Sequence, residues 1–159
     1  MHIINASRNN AVLLASLIRR SNEDVAQLLD LTIANAPKHP SFCTDDWITA
    51  DFDRGQEYFL STENDKVTGC VAFEQPDVDT AYLNRLSVVP EFRNRGTGTL
   101  LVQHIIDYSK SKNVKNISIG IIAEHTQLKG WYLNIGFTAG ATQRFDHLPF
   151  SVLYMKYVL

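Results

Sequence analysis

Arg93-Asn94-Arg95-Gly96-Thr97-Gly98 is the segment of this 159-residue chain whose residue types carry the most chemistry. Two glycines without side chains let backbone N–H groups turn inward and approach an anion closely, and the two arginines add positive charge. The segment lies between an apolar run that stops at Pro90 and an amphipathic stretch with helical spacing, so the positive end of a helix is expected at its close. Read alone, it is either a phosphate cradle or an ordinary turn.

The elements that must position this loop can be read from apolar spacing. Met1 to Ala6 reads as a short strand. Val12, Leu13, Leu17, Val25, Leu28, Leu29 and Ile33 mark helical faces, interrupted by the polar run Arg19 to Asp24. Ser21 or Asn22 before acidic residues resembles an N-cap, which predicts a new or redirected helix over about Glu23 to Asn35, ended by Pro37 and Pro40. Thr44 to Asp53 reads as a short capped helix or a substrate loop. Tyr58 to Leu60, Val67 to Phe73 and Ala81 to Val89 have strand composition, the first two joined by a turn at Glu63 to Lys66.

Beyond the loop, Leu100, Leu101, Ile105 and Tyr108 predict a helix ending near Asn113. Ile117, Ile119 and Ile121 alternate as a strand, followed by a helix from about Glu124 to Ile135 and strands near Phe137 to Phe145 and Phe150 to Val158.

Composition narrows the classes. With 45% hydrophobic and 20% charged residues, residues 1–159 read as one ordinary domain. Fifteen Lys and Arg against 17 Asp and Glu give a net charge of −2, so no overall attraction to nucleic acid or anionic membrane is expected. No apolar run approaches the roughly 18 residues of a membrane span, and a cytoplasmic location is the default expectation. Cys43 and Cys70 lack the spacing of a zinc site or a disulfide framework, so they read as reduced packing residues and no metal is expected.

Two phosphate-binding classes are disfavoured by the loop itself. A P-loop requires Gly-Lys-Ser/Thr, and a dinucleotide fingerprint requires a third glycine near Leu101 and an acidic ribose partner about 20 residues on. The loop has neither the Lys-Ser/Thr pair nor the third glycine.

Leu86-Ser87-Val88-Val89-Pro90-Glu91-Phe92 followed by Arg93 to Leu101 closely resembles the acetyl-coenzyme A signature of the GNAT N-acetyltransferase superfamily, Arg/Gln-x-x-Gly-x-Gly/Ala. Trp131-Tyr132-Leu133-Asn134-Ile135-Gly136-Phe137 resembles that family's tyrosine-bearing helix followed by Gly-Phe. The resemblance covers roughly Ala81 to Thr138. It implies an α/β fold: a single-domain, mixed, mostly antiparallel twisted sheet of about 6–7 strands, flanked by about 4 helices, whose fourth and fifth strands splay apart to admit pantetheine. Leu86, Ser87, Val88 and Val89 would pair with pantetheine through main-chain groups. Arg93, Asn94, Arg95, Gly96, Thr97, Gly98 and Thr99 would surround the pyrophosphate. The arginine side chains would either meet phosphates or remain solvated.

The activity implied is direct transfer of an acetyl group from acetyl-coenzyme A to a primary amine of a small molecule or protein, without a metal. Deprotonating a lysine-like amine at pH 7 costs roughly 4.6 kcal/mol, so a base or water chain is useful. The developing oxyanion needs a donor, which the resemblance places at a backbone N–H near Val88. Tyr132, four residues before Gly136, matches the position from which a phenol donates to the departing sulfur; packing is its other reading. His125 stands where the family often has a coenzyme-contacting asparagine, and Tyr82 stands where some relatives carry a glutamate base. Glu74 is the substitute base candidate beside a water-mediated route. Tyr82 and His147 are candidate acceptor-pocket residues, and Asp45, Asp46, Asp51 and Asp53 either attract a cationic amine or form a solvated helix face. The apolar final strand, Val152 to Val158, reads either as a pairing edge for a second subunit, giving a homodimer, or as a strand packed within one. The alternative function is a non-catalytic acyl-coenzyme A sensor, which the absence of an assignable base keeps open.

Overall fold

The computed structural model describes residues 1–159 and contains one seven-stranded sheet with helices on both faces. In chain order the elements are β1 (His2–Asn5), α1 (Ala11–Leu28), α2 (Asp45–Asp53), β2 (Glu57–Glu63), β3 (Lys66–Glu74), β4 (Thr80–Val88), α3 (Thr97–Ser111), β5 (Asn116–Ile122), α4 (Thr126–Ile135), β6 (Thr138–Arg144) and β7 (Ser151–Val158). Short 3-10 turns at Arg8–Asn10, Pro40–Phe42 and Pro90–Phe92 link them.

The spatial order is β1-β2-β3-β4-β5-β7-β6, and every neighbouring pair except β4 and β5 is antiparallel. The parallel β4–β5 pair registers only at Thr80–Asn116, Ala81–Ile117 and Tyr82–Ser118. Beyond Tyr82 the two strands part, which is the splay expected from the family resemblance.

Alternation along the strands divides the core into two layers. On one face Leu14, Ile18 and Ile48 from α1 and α2 pack on Tyr58, Leu60 and Ala72. On the other, Leu101 and Ile105 of α3 and Tyr132 of α4 pack on Phe73, Leu83, Ile117 and Met155. A smaller cluster, in which Leu29 and Phe150 flank Leu31 and Ala36, ties the α1–α2 connection to Ile122 at the end of β5.

Three expectations are corrected. The helix predicted from Glu23 to Asn35 is the second half of one continuous α1, which ends at Leu28. The polar run does not break it because Ser21 occupies a buried position on the same stripe as Leu14 and Ile18. Asn22 donates its side-chain amide to the Ile18 carbonyl at 2.7 Å, so it serves the helix interior rather than a cap. The apolar final strand, β7, lies between β5 and β6 with both edges paired, so it is internal and offers no edge to a second subunit. The free edge at that side belongs to β6, which is exposed along its whole length.

Candidate active site

β4 carries the irregularity from which the site is built. Cys70 opposes Ser87 and Ala72 opposes Asn84, so β4 has one residue more than β3 across this stretch. Arg85 absorbs the extra residue in the left-handed region, with φ 56°. Such a bulge bends a strand and ends regular pairing. Here it falls just past the last β4–β5 rung at Tyr82.

Immediately after β4, the loop presents its main chain. No backbone N–H from Asn94 to Thr99 reaches a protein acceptor, and the first donor beyond them is Leu100, which bonds to Gly96 O. Asn94 and Gly96 have positive φ, 58° and 85°, which turns successive N–H groups toward one side at the positive end of α3. Gly98 has a different role. A Cβ there would lie 3.2 Å from the Trp131 ring and 3.8 Å from Val88 Cγ2, so the start of α3, the middle of α4 and the open end of β4 meet over it. The two sequence motifs thus converge on one place. The donor set and the absence of a side chain at Gly98 suit a pyrophosphate delivered against backbone.

Arg93 departs from its expected place. Its Nε donates to Val88 O at 3.2 Å, Nη1 to Asp24 at 2.6 Å and Nη2 to Ser21 O at 2.6 Å. The guanidinium is directed to α1 and the end of β4 rather than to the loop's N–H groups. That hydrogen bond holds Asp24 below the ordinary carboxylate range, against the opposing effect of burial. Arg20 of α1 reinforces the seam by pairing with Glu91. Arg95 is exposed and lies 5.3 Å over the Phe92 ring. Thr97 is buried and donates its hydroxyl to Phe92 O. Among the strand-end residues, Ser87 is buried, and Val89 lies past β4 with its N–H donated to Thr68 O, so it belongs to the β3 side rather than the open edge. Leu86 and Val88 pack on the α3 layer.

Tyr132 is buried between Trp131 and Phe137, at centroid distances of 4.9 and 5.2 Å. Its hydroxyl has no protein hydrogen-bond partner in the structure. Burial pushes its pKa up, which keeps the phenol protonated and available as a donor. His125 caps α4, its Nδ1 accepting from Leu128 N at 3.3 Å, so that ring nitrogen is engaged in the helix.

On the α1/α2 face, the splay opens a cleft of about 350 Å³ lined by Tyr82, Asn84, Ser118, Ile119, Gly120 and Tyr154. Tyr82 and Tyr154 are each 39% exposed there. Glu74 opposes Tyr82 across β3 and β4, and its Oε2 accepts from Asn84 Nδ2 at 3.1 Å. Tyr82, Asn84 and Glu74 therefore stand together at the rim. His147 is exposed in the β6–β7 connection, beside Phe145.

The acidic residues of α2 do not act as a group. Asp51 is 1% exposed and accepts from Tyr58 Oη at 2.5 Å, Arg54 at 2.8 Å and Arg85 Nε at 3.1 Å. Asp53 pairs with Arg8 at 2.6 Å, while Asp45 and Asp46 occupy the exposed first turn, where they suit the helix dipole. Sequence reasoning missed Asn84, Arg85, Ser118, Gly120 and Tyr154. Arg85 has a local signal in hindsight, a charge inside the apolar run of β4, but the partners that give it meaning come from other elements.

The chain matches the model of the Acetyltransferase (GNAT) family over residues 23–137. It is 29% identical over 98 residues to the ribosomal protein bS18-alanine N-acetyltransferase of Salmonella typhimurium, a match spanning 61% of this chain and 66% of that relative, just under two thirds of its length. The crystal structure of the ribosomal-protein-S18-alanine N-acetyltransferase of Escherichia coli superposes with a TM-score of 0.78 at 16% identity, covering 99% of this chain and 92% of that one. The structure of yncA from Salmonella typhimurium with its cofactor acetyl-CoA gives 0.71 at 18% identity over 100% and 94%. At such identities the structural likeness shows the fold, and the family match over most of the chain shows the lineage. The seven-stranded splayed sheet, its loop of free N–H groups and the tyrosine helix that closes on it are those of a member of the GNAT acetyltransferase family, to which this chain belongs.

Proposed function

We propose that this chain transfers an acetyl group from acetyl-coenzyme A directly to a primary amine of a small molecule or protein, both substrates being bound together. The observation that carries the reading is the convergence of the unpartnered N–H groups of Asn94 to Thr99, the close approach at Gly98 and the buried phenol of Tyr132 at the strand splay. Acetyl-coenzyme A supplies an activated thioester carbonyl. The relative's activity on a ribosomal protein and the acetyl-coenzyme A bound to the yncA neighbour favour the same chemistry.

The main-chain N–H groups of Asn94 to Thr99 hold the pyrophosphate by hydrogen bonds at the positive end of α3. The unpaired β4 edge beyond Tyr82, at Leu86 to Val88, offers hydrogen-bonding groups to an extended arm. A backbone N–H near Val88 donates to the carbonyl oxygen as it gains negative charge. The amine nitrogen forms the new C–N bond while the C–S bond breaks. The amine proton leaves through Glu74 or water at the cleft rim, and Tyr132 donates its proton to the departing sulfur. Asn84 orients Glu74 in this scheme. No metal takes part, and His125 serves α4.

The test is an amine panel of small molecules, peptides and protein N-termini, following free thiol and acetylated product together. Product is expected, and Tyr132→Phe is expected to lower kcat about 10²-fold, with coenzyme affinity nearly unchanged. Tight coenzyme binding without product from any amine would replace the enzyme by the acyl-coenzyme A sensor. Unchanged kcat with chemistry rate-limiting would remove the role of Tyr132.

A further inference from the structure

Arg85 sits in the β4 bulge between Asn84, which lines the cleft, and Leu86, which lies on the parted edge of the strand. Only its Nε is bonded within the protein, to Asp51. Both terminal nitrogens lack a protein acceptor, and the side chain is 21% exposed. Burial works against the charge of Arg85, and Asp51, Tyr58 and Cys43 together more than offset it. Asp51 shares its single negative charge between Arg54 and Arg85, so the cluster remains net positive.

A second cation, from a different element, approaches the Trp47 ring that Arg85 also approaches. Lys38 Nζ, in the α1–α2 connection, lies 5.3 Å from the Trp47 ring centre, and the Arg85 guanidinium lies 5.8 Å from it. Trp47 and Asp51 are four residues apart and share one helix face. Asp45 and Asp46 are exposed in the first turn of that helix and make no ion pair.

On the other side of Asn84, the sign of the charge reverses. Glu74 accepts from Asn84, so a carboxylate and an arginine with an open edge flank one cleft residue. The cation of Arg85 and the carboxylate held by its chain neighbour Asn84 match a ligand carrying both an ammonium and an anion. The free edge of a guanidinium, two coplanar N–H donors, matches the two oxygens of a carboxylate.

We infer that the acceptor is a small amine that also bears a carboxylate, held by Arg85 and Lys38 beside Trp47 while its amine faces Glu74. This rests on the acetyl-transfer reading and narrows its substrate class. Arg85 and Lys38 select the substrate and take no part in the bond changes.

The experiment compares matched pairs, glycine, β-alanine and lysine each beside its carboxamide, by kcat/KM and by saturation-transfer NMR of binding, which reads occupancy without turnover. The full chain is expected to favour the carboxylates at least about tenfold, the discrimination of one charged contact. Arg85→Gln and Lys38→Gln are expected to bring each pair toward parity with coenzyme affinity kept, and Arg85→Lys to restore part of the preference. Lys38 is exposed, so its variant carries the test if Arg85→Gln does not fold. Carboxamides turned over as well as carboxylates would overturn the substrate class and leave acetyl transfer standing. Carboxylate binding that depends on Arg85 or Lys38 without any acetylated product would keep the carboxylate subsite and remove the acetyl-transfer reading. Absence of any carboxylate preference in binding would overturn the inference outright.

Discussion

The two sides of β4 offer a ligand different kinds of surface. Toward α3 and α4 the surface is made of main chain: unpartnered N–H groups from Asn94 to Thr99, a glycine pressed against Trp131, and a strand edge left open by the splay. Toward α1 and α2 it is made of side chains: Asp51 buried under two arginines, Trp47 approached by two cations, and Glu74 held by Asn84. Main-chain recognition depends on backbone shape, so it leaves a short local motif of glycines. Side-chain recognition is assembled from residues more than thirty positions apart, as Asp51 and Arg85 are, and each alone looks like ordinary surface charge.

If the two sides are separable, damage to one leaves the other intact. Asp51→Ala strands Arg85 and removes the acceptor of Tyr58 Oη, and it is expected to lower unfolding free energy by about 3 kcal/mol, measured by urea denaturation. Coenzyme affinity of the protein that remains folded is expected to stay within about twofold. A parallel collapse of coenzyme affinity would show that the sides form one cooperative unit. Gly98→Val tests the opposite side. Its added atoms meet Trp131 and Val88, and overpacking of about 1–3 kcal/mol should weaken coenzyme binding about tenfold or more in calorimetry. Unchanged affinity would contradict close approach of the phosphates to this backbone.

The smallest effect tests the seam between the sides. Asp24 has a depressed folded pKa because Arg93 bonds to it, so its contribution is present above the unfolded value near 4 and is lost as pH falls through the folded value. The pair is largely exposed, which limits it to below about 1 kcal/mol. Asp24→Asn should therefore lower the urea midpoint slightly at pH 7 and approach the parent as the pH falls through the depressed folded value. A difference that persisted at low pH would assign the effect to packing.

The same division explains what could be read before the fold was seen. Strands β2 to β4 follow from β-favouring composition between polar turns, β5 from alternation, and the loop of free N–H groups from its glycines and the helix behind it, because these are signals within one stretch of chain. Tyr132 is legible through its distance from Gly136. α1 misleads because Ser21, a small polar residue, holds a buried place on its apolar stripe. Arg93 misleads because its neighbours in sequence suggest phosphate, whereas Asp24 and Ser21, about seventy residues earlier, capture its guanidinium. The acidic run of α2 looks like an electrostatic lure for amines until Asp51 is found sealed beneath Arg85 and Asp53 tied to Arg8.

The three rungs shared by β4 and β5 make this an unfinished sheet. A ladder that stops early leaves hydrogen-bonding capacity of which the chain itself takes only the Val88 carbonyl, through Arg93, so an extended ligand arm laid in the gap acts as a missing strand. A ligand that completes a sheet also selects the folded chain over the unfolded one, by about 2.7 kcal/mol at a hundredfold excess over its Kd. Heat resistance of the chain then becomes a gauge of what occupies the gap, and ranking acyl donors by the Tm they confer would identify the preferred arm without a turnover assay.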